Sequence, residues 1–135
     1  MTNWLGVVSR EHVMRGVGLG IAQVSHGKRP PLARMRPGDW LVYYSPRERL
    51  GDGPALKAFT AIGQVADDEI WQADEGSFKP WRRRIAYLAD VTDAPITDLA
   101  LGLTAEPTWG NQLRRGLLEL SDHDLEKIRT AMTGR

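Results

Sequence analysis

The run Phe78-Lys79-Pro80-Trp81-Arg82-Arg83-Arg84-Ile85-Ala86-Tyr87-Leu88 sets a large aromatic among four cations, directly before an apolar, β-forming stretch. An indole offers any nucleobase a stacking face, and guanidinium and ammonium groups beside it attract phosphates. The chemistry is that of a base-stacking platform next to a phosphate-binding surface, with Lys79, Arg82, Arg83 and Arg84 as its cations. The same pattern also serves a buried strand-start anchor with a solvated arginine face. Residues elsewhere must decide between the two.

A second group supplies hydroxyl, imidazole and amide chemistry: Ser9, His12, Gln23, Ser25 and His26. These side chains donate to and accept from a base edge, and Gln23 does both. Ser9 or Ser25 beside His12 or His26 would also provide a nucleophile and a base for a hydrolase. No nucleophile-elbow spacing, glycine-rich phosphate loop or catalytic carboxylate pair accompanies them. The chain has no cysteine, which excludes disulfides, thiolate nucleophiles and cysteine-based zinc sites. Its three histidines, His12, His26 and His123, form neither a His-x-His nor a His-x-x-x-His pair, so neither a metal nor another cofactor is expected.

The formal net charge of +1 conceals a segregation. Lys28, Arg29, Arg34, Arg36, Arg47 and Arg49 crowd the first half, Lys79 and Arg82–Arg84 follow, and Asp67-Asp68-Glu69 and Asp74-Glu75 lie between. A near-neutral protein can carry one basic face, and it is the local field that draws phosphates. With 135 residues the chain is expected to form one domain with a core that needs no staple. No apolar run approaches the roughly 20 residues of a membrane span, and no basic segment with an apolar stretch opens the chain. A cytoplasmic location and no membrane contact are expected.

These residues have to be positioned by the elements around them. Trp4–Val8 reads as a strand, Ser9 as a cap, and Arg10–Val17 as a short helix stopped by Gly18 and Gly20. Ile21–Val24 is a second strand, and residues 25–31, with Gly27 and two prolines, a loop carrying His26, Lys28 and Arg29. Leu32–Met35 makes one helical turn before Pro37-Gly38-Asp39, which launches Trp40–Tyr44 as a third strand. Ser45–Pro54 is a polar excursion. Ala58–Ala66 is a fourth strand with a bend or bulge at Gly63, Asp67–Lys79 a connection or ragged hairpin, and Ile85–Val91 a fifth strand. Asp93–Trp109 is mostly loop, with one turn near Asp98–Leu101. Ser121 caps a last helix in an acidic capping-box variant with Asp124, Leu120 staples onto Leu125, and Leu125, Ile128 and Met132 form the apolar stripe. Five to six strands, an early helix and a closing helix describe an α+β fold, a small mixed β-barrel whose mouth gathers loops from several strands. Tyr43 and Tyr44 must face opposite sides of their strand. Trp4 is assigned to the core.

Four ordered segments, Trp4–Val13, Gln23–Lys28, Met35–Pro46 and Phe78–Arg83, together resemble the EVE domain of the PUA-like superfamily, and the resemblance runs essentially end to end. It implies a small β-barrel flanked by helices and a relationship to the YTH readers of methylated adenine. Trp81, with Arg84 three residues on, resembles the YTH segment that supplies one wall of the cage around the modified base. Ser9 and His12 fall where YTH draws polar contacts to the base. Where YTH places a second cage tryptophan this chain reads Ile21-Ala22-Gln23, which implies a differently shaped pocket. Lys28 with Glu11 imitates the Lys and acidic pair by which ASCH-type relatives are thought to process modified nucleosides.

The function expected is therefore a non-catalytic module that binds a modified base in DNA or RNA. Its base pocket comprises Ser9, His12, Gln23, Ser25, His26, Tyr43 and Trp81. Its phosphate contacts comprise Lys28, Arg29, Lys79, Arg82, Arg83 and Arg84. The alternatives are an enzyme acting on a modified nucleoside and a protein-interaction module with a basic face.

Overall fold

A computed structural model describes residues 1–49, 51 and 53–134, with Ser25 described by its backbone alone. The elements run β1 (Asn3–Val7), α1 (Arg10–Leu19), β2 (Ile21–Ala22), α2 (Arg29–Ala33), β3 (Trp40–Arg47), β4 (Ala55–Gln72), β5 (Trp81–Tyr87), β6 (Ala94–Pro95), α3 (Gly102–Ala105), α4 (Trp109–Gln112), β7 (Leu117–Leu120) and α5 (Asp122–Thr133). The sheet order is β2-β5-β4-β3-β1-β7, with β6 added to β4. β1 pairs with β3 in parallel and the other described pairs are antiparallel.

The α+β class holds, but the expected barrel does not close. Among the described residues β2 and β7 lie at opposite ends of the strand order and are not paired with each other. β2 is only two residues long, engaged with Arg83 and Arg84 of β5, and offers too little edge to complete a cylinder.

Strand alternation divides the core between the two faces of the sheet. Leu5, Val42, Tyr44, Phe59 and Ile62 pack on one face with Leu125, Ile128 and Met132 of α5. Trp4, Leu41, Tyr43, Ala61 and Ile85 pack on the other with Val13 of α1 and Leu32 of α2. Both tyrosines are thus core, in separate clusters, and Trp4 is buried as expected.

The structure moves several boundaries. α1 runs through Gly18 and ends at Gly20, whose left-handed φ of 69° lets its N–H close on the carbonyls of Gly16 and Val17. Gly63 marks no bulge; a Cβ there would lie 2.6 Å from the Ala86 carbonyl oxygen, so the glycine admits β5 at close range. Irregularities fall on both sides of it, against β3 between Phe59 and Ala61 and against β5 between Val65 and Ile70, beyond which β4 continues as a hairpin with β5 that already includes Trp81. β7 was not expected at all. Its Leu-Leu-Glu-Leu sequence lacks β-branched residues and becomes a strand by pairing with β1, Leu118 opposite Leu5.

At the start of α5 the Ser121 hydroxyl accepts from the Asp124 N–H at 3.1 Å, as a cap should. The Asp124 carboxylate does not return the bond. It accepts the N–H groups of Gly102 and Leu103 at 2.7 and 2.8 Å and so ties α3 to α5. Leu120 and Leu125 share the α5-side cluster, consistent with the staple.

Buried Asp39 anchors the turn before β3. It accepts from the Trp4 indole N–H at 2.9 Å and from the backbone N–H groups of Arg36 and Thr2 at 2.9 and 3.2 Å. Burial raises its pKa, but these donors outweigh burial and hold the carboxyl below its ordinary value. A depressed folded-state pKa means stability that is present above the unfolded-state value, about 3.9, and is lost as pH falls through the lower folded-state value. Asp39→Ala should therefore destabilise the fold by about 1–3 kcal/mol at neutral pH, leaving the Trp4 indole unpaired. Urea titrations from neutral pH down to about pH 2 should show the difference between mutant and wild type shrinking with acid; a constant difference would exclude this origin.

Candidate ligand-binding cleft

Two adjoining hollows, about 140 and 380 Å³, open at one end of the sheet and share Val8, His12, Gln23 and Phe78 as walls. The larger lies within the size range of small-ligand sites. Four segments build them: the start of α1 with Ser9 and His12, residues 23–27 after β2, the tip of the β4–β5 hairpin, and a rim from Arg47, Arg49 and Arg114.

Backbone geometry fixes each wall. His26 adopts a left-handed φ of 62°, and its side chain is exposed at the larger hollow. Gly27, φ 79°, lies so close to the hairpin that a Cβ would sit 2.7 Å from Pro80 and 3.1 Å from the Phe78 ring. At the hairpin tip the Glu75 N–H donates to the Phe78 carbonyl at 2.8 Å, with Gly76 at φ 80° making the turn. Phe78 is 43% exposed and lines both hollows.

The polar side chains fall into an ordered set. Arg82 Nε–H donates to Gln23 Oε1 at 2.5 Å, its other nitrogen pairs with Glu75 at 2.6 Å, and Glu75 also holds Arg15 at 2.8 Å. Buried Tyr43 donates to the Gln23 carbonyl at 3.4 Å, and burial pushes its phenol well above the ordinary value. Ser9 occupies the cap position of α1, yet its hydroxyl is buried with no hydrogen-bond partner among the described residues. The Ser25 side chain lies outside the described residues. No group of three His, Asp or Glu side chains among the described residues is spaced to hold a metal.

The structure therefore gathers Ser9, His12, Gln23, His26 and Tyr43 around the hollows, but not Trp81. The Trp81 ring is half-buried against the α1-side cluster, with the Arg29 guanidinium 5.6 Å from its centroid. Among the cations, Arg83 must be reassigned. It is 1% exposed and donates to the carbonyls of Leu32, Met35 and Asp67 at 3.0, 2.7 and 2.9 Å, so no phosphate reaches it. The cause is alternation: Arg83 points to the core side of β5, between outward-facing Arg82 and Arg84. Arg84 lies over Trp71 and pairs with Asp67 at 2.5 Å, and Arg82 is held by Gln23 and Glu75. Lys28, Arg29 and Lys79 are exposed.

Sequence reasoning missed Phe78 as a wall and Arg47, Arg49 and Arg114 as a rim. Phe78 stood in the most informative run, but the larger indole drew the assignment. Arg114 is more than 60 residues from Arg49 in sequence, and only the fold brings them to one opening.

An open mixed sheet with helices on both faces and a cleft beside it makes this an α+β domain. The EVE domain family model matches residues 2–131, and the chain belongs to that family. A UPF0310 protein of Renibacterium salmoninarum is 51% identical over 132 residues, covering 96% of this chain and 94% of the relative. The fold resembles the crystal structure of an Agrobacterium tumefaciens protein (TM-score 0.52, 15% identity, 97% and 93% of the two chains covered). It also resembles the NMR structure of a Rhodopseudomonas palustris protein (TM-score 0.53, 17% identity, the same coverage). No helix among the described residues is long and apolar enough to cross a membrane.

Proposed function

We propose that this EVE protein holds an unstacked, modified base of DNA or RNA in the cleft between α1, residues 23–27 and the 75–78 turn, and binds it without chemistry. One observation carries this: an exposed aromatic, Phe78, shares a base-sized hollow with Ser9, His12, Gln23 and His26 under an arginine rim. The ring supplies a stacking face, the polar groups meet a base edge, and Arg47, Arg49 and Arg114, with the exposed Lys28, Arg29 and Lys79, meet phosphates. Taking a base out of a duplex costs a few kcal/mol, which stacking and phosphate contacts together can offset.

The test is a binding screen, by fluorescence anisotropy, of strands carrying different single modifications against the unmodified strand. Tighter binding of at least one modified strand supports the proposal; equal binding of all strands contradicts it. Turnover of modified nucleosides by the protein alone would replace it with an enzymatic function.

The rim makes a separate prediction. Replacing Arg49 and Arg114 by Gln should weaken modified and unmodified single strands alike and lower the slope of log affinity against log salt by about 1.4, at roughly 0.7 per lost phosphate contact. Discrimination between the strands should persist. An unchanged slope would remove these arginines from the phosphate path.

A further inference from the structure

The Glu75–Arg82–Gln23 chain dictates which end of the Gln23 amide a ligand meets. A guanidinium carries only donors, so the amide oxygen must be the end that faces Arg82, as the 2.5 Å contact shows. The amide –NH2 is then the other end; it donates to no acceptor among the described residues, and Gln23 lines both hollows. Arg82 is itself held. Its side chain is 15% exposed and its second nitrogen is 2.6 Å from Glu75, which the 75–78 turn and Arg15 fix in place. A free glutamine can rotate its amide to suit a donor or an acceptor. This one cannot without facing its –NH2 toward Arg82.

We propose that Glu75 and Arg82 are positioning residues that lock Gln23 as a hydrogen-bond donor, so that the cleft selects a base presenting a carbonyl or ring-nitrogen acceptor there and rejects one presenting an amino group. The proposal rests on the base-binding function above and names its specificity. The rejection follows because two donors facing each other in a desolvated site leave both unpaired.

The experiment has two arms. In the ligand-free protein, NMR should show the Arg82 Nε–H proton slowed in exchange with water, and Glu75→Ala should abolish that protection. In the second arm, single strands carry one hypoxanthine or one adenine, and one uracil or one cytosine, pairs that exchange a carbonyl for an amino group. Wild type should prefer the carbonyl member of at least one pair by about tenfold, the usual scale of one hydrogen bond in a closed site. Glu75→Ala should bring that ratio below about twofold, since the freed amide can turn. Gln23→Glu, which keeps the contact with Arg82 but presents an acceptor to the ligand, should reverse the preference. A merely structural role for this chain would not reverse selectivity. Strands that bind without carbonyl preference, or a preference that survives both substitutions, would overturn the proposal. So would an unprotected Arg82 proton in wild type. Failure of these strands and of every strand in the wider screen of modified bases to bind, with the proton still protected, would instead overturn the base-binding function and leave the clamp as a fact of the fold.

Discussion

Arg83→Ala is expected to destabilise the protein by about 3–5 kcal/mol, the scale for leaving several buried carbonyls unpaired beside a new cavity. The guanidinium is among the largest fully buried side chains, and its donors satisfy the carbonyls of Leu32 and Met35, at and beyond the end of α2, and of Asp67 in β4. Removing it leaves those acceptors without a partner and opens a cavity where α2 meets the sheet. The contact with Asp68, 3.4 Å long and on a residue 92% exposed at its side chain, adds little. For a chain of this size the loss corresponds to a fall in Tm of roughly 10–20 °C. Arg83→Lys should recover only part of it, because one ammonium cannot reach carbonyls arranged around a planar fork. Calorimetry with urea titration decides the matter: a loss under about 1 kcal/mol would mean that the carbonyls find other donors. Affinity for nucleic acid, measured where the mutant remains folded, should stay near that of wild type.

Phe78→Ala is expected to do the opposite, weakening binding of the preferred strand by about 1–3 kcal/mol, or five- to 150-fold, with little change in Tm. The ring is exposed over the cleft, while the turn beneath it is held by backbone bonds that survive the substitution. Phe78→Trp should retain or strengthen binding, since the larger ring stacks on any base. Trp81→Ala supplies the contrast. That ring packs on the α1-side cluster under Arg29, so its loss should lower Tm and affect binding less than the loss of Phe78. Should Phe78→Ala bind normally while Trp81→Ala does not, the stacking face is Trp81, as the YTH resemblance implied.

Sequence made visible whatever is encoded locally. The cap at Ser121 and the stripe Leu125, Ile128 and Met132 define α5 by themselves, and the Pro-Gly-Asp turn announces β3. The segments carrying Ser9, His12, Gln23 and His26 also stood out, because unusual residues lay beside glycines and strand ends. What stayed hidden depends on partners distant in sequence. β7 is a strand because β1 lies beside it, Gly63 is a glycine because β5 passes close, and Arg83 is buried by one step of strand alternation. A run of three arginines looks like one basic patch in a linear reading. On a pleated strand it becomes two outward cations and one internal brace.

The close packing of Gly27 on Pro80 and Phe78 bears on the thermodynamics of binding. Residues 23–27 and 75–82 are separate in sequence but abut at Gly27 without room for a methyl group, so the two lips of the cleft are already in contact before any ligand arrives. A ligand then loses its own freedom on entry and little of the protein's, and more of the contact energy survives as affinity. Gly27→Ala would wedge the lips apart and introduce that ordering cost, so its signature in calorimetry should be a more unfavourable binding entropy with an enthalpy close to that of wild type.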